Sequence, residues 1–122
     1  MPFDVKVSRA QDYVRYRATG ETSLKKFGEL ISLVATDTDL NEDAKVLLDL
    51  TRVRGRLTAA EESLLGEIVA LKLPYVYKLA SLVPPGAVTR NTEQVAVQKG
   101  LAVRAFDRET DAVQWLTEPD LH

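Results

Sequence analysis

"KVLLDLTRVRGRLTAAEESLLG", residues 45–66, holds the junction on which the fold turns. Val46, Leu47 and Leu48 form a short continuous apolar run, the pattern of a central strand covered on both faces. The run ends on Asp49 and Thr51, passes arginines at 52, 54 and 56, and reaches Thr58-Ala59-Ala60-Glu61. That tetrapeptide fits a capping box, in which a cap threonine and a glutamate three residues on satisfy exposed N–H groups reciprocally. Leu64, Leu65, Ile68 and Leu71 then make one apolar helical face. A buried strand thus leads through a basic turn into a capped helix.

Working outward, Phe3, Val5 and Val7 alternate with polar residues, as does Tyr13–Ala18, so the opening reads as an antiparallel hairpin turned at Arg9–Asp12 and closed by Gly20. From Ser23 the period lengthens: Leu24, Phe27, Ile31 and Val34 share a helical face, and Thr36-Asp37-Thr38-Asp39 ends it. Beyond Pro74, Tyr77 to Val83 reads as a strand stopped by Pro84-Pro85-Gly86. A helix is expected from Thr89, burying Val95 and Ala96 and ending before Gly100 at a favoured C′ position. Leu101 to Phe106 is a last strand, and Asp107 is placed to cap a final helix carrying Ala112, Trp115 and Leu116, with Trp115 in the core. The order β-β-α-β-α-β-α-β-α implies a mostly parallel sheet of about five strands, with an N-terminal antiparallel hairpin and about four helices. At 122 residues the chain is expected to be one domain, 1–122.

Composition removes several function classes. With 45% hydrophobic and 28% charged residues the chain reads as an ordinary soluble globular protein. Its net charge of −2 argues against nucleic acid as a partner. Tyr13 and Tyr16 alternate with Arg15 and Arg17, but neighbouring strand residues face opposite sides, which favours strand packing or a dimer contact over base stacking. There is no cysteine, and the single histidine is His122, at a chain end where mobility is expected. Ser63 and Ser81 have no base beside them in sequence, and neither a metal-ligand cluster nor a paired-carboxylate motif is visible. The expectation is therefore no enzyme and no cofactor. Met1-Pro2-Phe3-Asp4-Val5-Lys6 lacks the pattern of a secretory leader, and no apolar stretch approaches a membrane span, so a cytoplasmic protein is expected.

In a parallel sheet, ligands bind outside the carboxyl ends of the strands, beside a switch in strand order. Those ends carry Asp49, Thr51, Arg52, Arg54 and Arg56, then Thr58, with Thr89 and Arg90 following the next strand. Helix N-termini near Thr58 and Thr89 offer unpaired N–H groups and partial positive charge. Guanidinium groups beside them suit a phosphate or carboxylate. The alternative is that these arginines are solvated and pair with Glu61, Glu62 and Glu93, that Asp49 accepts N–H groups of its own loop, and that Thr58 is a helix cap.

The series Leu47-Leu48-Asp49-Leu50-Thr51, the helix opening near Thr58, and Gly100–Phe106 with Ala112-Val113-Gln114-Trp115-Leu116 together resemble the STAS superfamily. More narrowly they resemble its SpoIIAA-like branch of small bacterial single-domain proteins, also described as STAS/SEC14-like. The resemblance implies a SpoIIAA-like α/β fold. It also implies a regulatory protein-interaction module akin to anti-anti-sigma factors, which bind a kinase-like anti-sigma factor and are switched by phosphorylation of a serine in an Asp-Ser-Ser/Thr-Gly motif. Carried over by position, Asp49 and Thr51 match the strand-end Asp and Ser, and the phosphoacceptor falls on Thr58. Leu57-Thr58-Ala59-Ala60 lacks the acidic residue before the acceptor and the glycine after it, so the usual switch motif is missing. The SEC14-like label implies a second function, a carrier or sensor of a small anionic or amphipathic, lipid-like ligand. The exposed opening hairpin also offers an edge for a homodimer.

Overall fold

The computed structural model describes residues 3–38 and 44–118; Asp39, expected at the first helix end, and His122 lie outside them. Five strands run β1 (Asp4–Arg9), β2 (Val14–Glu21), β3 (Ala44–Arg54), β4 (Val76–Leu82) and β5 (Val103–Phe106). Interleaved are α1 (Leu24–Thr38), α2 (Ala59–Lys72), α3 (Asn91–Gln98) and α4 (Glu109–Thr117). The sheet order is β1-β2-β3-β4-β5, with β1 antiparallel to β2 and the other pairs parallel. The α/β architecture with an opening hairpin, a mostly parallel sheet and four helices is the one the sequence implies.

Strand order follows chain order without a reversal, which corrects the expected switch point. Successive right-handed crossovers that step in one direction put their helices on one face. On that face Tyr16, Val46, Leu48, Leu79 and Val103 meet Phe27, Ile31, Val34, Leu65, Val69 and Ala96. The opposite face is covered by α4, whose Ala112 and Leu116 pack on Leu47, Ala80 and Leu82. Trp115 is half-buried at the margin of this second cluster, its ring 5.7 Å from Phe106, rather than in the core.

Several local expectations need correction. β3 is eleven residues long and runs through the segment expected to be a basic turn, so that it includes Arg52 and Arg54. On α2, Leu65 is buried and Ile68 packs partly, but Leu64 and Leu71 are 48% and 79% exposed. Helix α3 sits beside α2 so closely that a Cβ on Gly66 would lie 2.7 Å from the Thr92 carbonyl oxygen. This contact turns the Gly66 side of α2 inward and leaves Leu64 and Leu71 outside. α3 begins at Asn91 behind an Arg90 cap, and Arg108, not Asp107, occupies the α4 cap; neither side chain makes a capping hydrogen bond. Gly100 does follow α3 at φ +98°, the left-handed conformation that its C′ position favours.

Tyr13 shares a face with Arg15 and Arg17, correcting the separation of aromatic and basic residues. Tyr16 points the other way, is fully buried, and donates its hydroxyl to Asp37 at the end of α1.

Candidate functional site

The register between β2 and β3 contains one extra residue on β3: Arg17 pairs with Asp49, but Thr19 pairs with Arg52. This is a β-bulge, which re-aims side chains locally. Leu50 and Val53 consequently both face the α1–α3 side, although an unbroken strand would put them on opposite sides. β4 pairs with β3 only as far as Asp49–Leu82, so Leu50–Arg54 runs on without a partner on that edge. After β4 the chain turns away through Val83-Pro84-Pro85-Gly86, with the Ala87 N–H donated to the Pro84 carbonyl at 3.0 Å. A cavity of about 410 Å³ opens in the corner thus left.

Its apolar wall comes from Phe27 of α1, Leu50 and Val53 of β3, Leu65 of α2, Val103 of β5 and Pro84, Pro85 and Ala87 of the turn. Its polar wall holds Arg56, Glu62, Ser81, Thr89, Thr92 and Glu93. The size and the mixture, mostly apolar with a few polar groups, are those of a small-molecule site. Glu62 is held in place: Thr89 donates its hydroxyl to the carboxylate, Asn91 donates its amide at 3.3 Å, and Thr92 donates to the Glu62 carbonyl at 2.9 Å. Glu93 is held by Arg90, 2.8 Å away, and by the Ala105 N–H at 2.8 Å. Arg56 reaches only the Gly86 carbonyl, at 3.5 Å, and has no carboxylate partner among the described residues.

The eight residues expected at the rim are divided by the structure. Arg56 and Thr89 line the cavity. Thr58 caps α2 as the sequence indicates: it accepts the Glu61 N–H at 3.1 Å, and its own N–H reaches Glu61 at 3.0 Å. Asp49, Thr51 and Arg52 lie apart from the cavity, Asp49 being aimed at the α4 side of the sheet. Arg54 is exposed and 3.9 Å from Glu21. Arg90 lies outside the cavity wall, bonded to Glu93 and to the Ala105 carbonyl at 3.1 Å. Of the expected acidic partners only Glu93 takes an arginine. Glu61 is used in the cap, and Glu62 bonds Thr89 and Asn91.

Asp49 is 1% exposed and belongs to an ion network that the sequence does not announce. Arg15 and Arg17 of β2 approach it at 2.5 and 3.0 Å, and Thr51 donates both its hydroxyl, at 2.6 Å, and its N–H, at 3.1 Å. Burial alone would raise the Asp49 pKa; the Thr51 hydroxyl, Arg15, the Thr51 N–H and Arg17 together outweigh it and hold the carboxyl at about 2. Burial opposes charge on Arg15 too, but Asp49 and Glu109 reverse the balance and raise its pKa. The Arg15–Glu109 pair also ties the first turn of α4 to β2. Residue alternation places Arg15 and Arg17 on one strand face, but only the parallel register brings them to Asp49. Glu62, Thr92 and Glu93, the polar side of the cavity, carry no signal in the sequence beyond their place near helix starts.

No family model matches this chain, and no curated protein matches it in sequence. Solved structures do. An uncharacterised protein of the DUF3478 family from Shewanella loihica, described as having a SpoIIAA-like fold, aligns over 94% of both chains with 17% identity and a TM-score of 0.61. An anti-sigma factor antagonist from Mycobacterium paratuberculosis aligns over 95% of both chains with 14% identity and a TM-score of 0.59. At such identities the likeness is one of backbone. With its sequential strand order, opening hairpin and α4 on the far face, this chain has the SpoIIAA-like fold.

Proposed function

We propose that this protein is a non-catalytic regulatory binding domain whose cavity takes a small amphipathic ligand. The observation that carries the reading is the bulged end of β3. It turns Leu50 and Val53 together into a cavity whose guanidinium, on Arg56, has no carboxylate partner among the described residues. The apolar body of the ligand sits against Leu50, Val53, Leu65 and Val103, and an anionic end meets Arg56 at the mouth. Arginine suits that end because its planar fork binds carboxylate or phosphate through two parallel hydrogen bonds. Binding without chemistry suits this cavity: both its carboxylates are occupied by fixed hydrogen bonds, and the chain has no cysteine and a single histidine, at 122.

Decanoate, a simple carboxylate with an apolar tail, is a direct probe. Titration into labelled protein should shift the backbone amides of Leu50, Val53, Val103 and Ala105 saturably. Ala87→Trp, which fills the cavity from the turn, should abolish the shifts. Arg56→Glu should weaken binding about tenfold or more, the value of a charge-assisted hydrogen bond. If decanoate produces no saturable shifts, and native mass spectra of gently purified protein show no bound small molecule, the ligand reading is wrong.

The backbone likeness to an anti-sigma factor antagonist favours a second reading, in which the surface around Arg54, Arg56 and Thr58 docks a partner protein such as an anti-sigma-type regulator. The two are told apart by Ala87→Trp, which blocks the cavity and leaves that surface in place.

A further inference from the structure

β5 is an edge strand of four residues, paired on one side only. The carbonyls of Ala102 and Phe106 accept the N–H groups of Leu79 and Val83, both at the β4 side. Alternation therefore turns the backbone groups of Ala105 outward, to the open edge. An open edge is a template for another strand. Here it is covered: Glu93 accepts the Ala105 N–H at 2.8 Å, Arg90 donates to the Ala105 carbonyl at 3.1 Å, and Arg90 and Glu93 are paired at 2.8 Å. One ion pair on α3 thus takes both hydrogen-bonding groups of the central edge residue. The same residues separate two hollows, since Glu93 and Ala105 line the cavity while Arg90 and Ala105 line a polar cleft shared with Arg104, Asp111 and Trp115.

We infer that the β5 edge is a covered self-association site, with Arg90 and Glu93 standing in the place of a second copy of this chain. In an antiparallel pair, residues directly opposite each other can exchange both N–H···O bonds. Two copies related by a two-fold axis at Ala105 would satisfy with each other the two groups that Glu93 and Arg90 now hold. The cleft beside the strand carries both signs of charge, Arg104 against Asp107 and Asp111, as a self-complementary two-fold contact requires. Arg104 already lies 5.5 Å from the Phe106 ring, and the axis would place Arg104 of each copy opposite Phe106 of the other. The other open edge, β1, fits less well, because Asp4, Lys6 and Arg9 put charge along it.

The double variant Arg90→Ala, Glu93→Ala tests this by sedimentation. It should dimerise about tenfold or more strongly than the parent, the fold-change of one or two net hydrogen bonds. Arg90→Ala alone, an exposed position, frees only the carbonyl and should fall between the two. The chain has no cysteine, so a single spin label locates the contact. Labels at Arg108→Cys, three residues from the axis in each copy, should lie within about 25 Å of each other at strand spacing. Labels at Ser8→Cys on β1 should be far apart. Unchanged association in Arg90→Ala and in the folded double variant overturns the inference, as does a dimer whose short distance is at Ser8.

Discussion

Asp49 Oδ1 accepts the hydroxyl of Thr51 at 2.6 Å and its N–H at 3.1 Å, so the carboxylate occupies the backbone donor of one of the two residues, Leu50 and Thr51, that form the β3 bulge. This contact links the ion network on the α4 side of the sheet to the cavity on the other. The bulge it secures is what turns Leu50 and Val53 the same way. Removing Asp49 should be costly on two counts. Asp49→Ala leaves the Arg15 charge with Glu109 alone and the Thr51 N–H without its acceptor, and breaking a buried pair costs about 3–5 kcal/mol. Urea unfolding should show a loss near the lower end of that range. The amides of Leu50 and Val53 should shift as the bulge relaxes.

Asp49 also sets an acid limit. Its folded pKa of about 2 lies below the value of an unfolded aspartate, about 3.9. Its contribution is therefore fully present above about pH 4 and is lost as pH falls towards 2, on the order of 2 kcal/mol. Asp49→Asn should flatten the stability profile across that window. A profile as steep as that of the parent would show that other carboxylates govern acid unfolding.

Tyr16 sets the alkaline side. Burial, then the hydrogen bond and the negative charge of Asp37, raise its phenol pKa. The unfolded chain therefore gives up this proton near pH 10 while the folded one retains it, and stability falls as pH rises beyond that point. Tyr16→Phe should lose about 1 kcal/mol at neutral pH, one net hydrogen bond, and lose less on going to alkaline pH. Paired denaturation curves at neutral and alkaline pH provide the comparison.

Gly66 is where α2 and α3 touch. A methyl group there would meet the Thr92 carbonyl at 2.7 Å and Val95 Cβ at 2.8 Å, neither of which is a flexible end. Gly66→Ala should thus destabilise by about 1–3 kcal/mol through overpacking, against the usual gain in helix propensity. Since Thr92 and Glu93 line the cavity, the same change should weaken decanoate binding.

Thr58→Ala removes one half of the capping box and should cost about 1 kcal/mol. Thermal unfolding should show that loss, and Thr58→Ser should restore it. Serine can act as cap or as phosphoacceptor, so Thr58→Asp decides: it caps well and should retain stability, and it should leave partner binding unchanged if Thr58 is only a cap.

The amino-acid sequence alone determined the elements whose signals are local. Val46–Leu48 reads as a covered strand because nothing polar interrupts it, Thr58–Glu61 as a helix start because its two bonds span three residues, and Gly100 as a helix stop because its conformation is its own. What only the tertiary structure decided depends on register and on which face of a helix meets its neighbour. Arg52–Arg54 remains strand despite its charges because β2 pairs with it even where β4 has stopped short. Leu64 and Leu71 are outside because Gly66 lets α3 approach from the other side. Arg15 and Arg17 each lie more than thirty residues from Asp49 in sequence and meet it only through parallel pairing, and Glu93 finds Ala105 only once β5 has formed. Hydrogen-bond partners chosen by strand register leave no periodic trace in a chain, which is why the strands and helices were legible and the arrangement of the site was not.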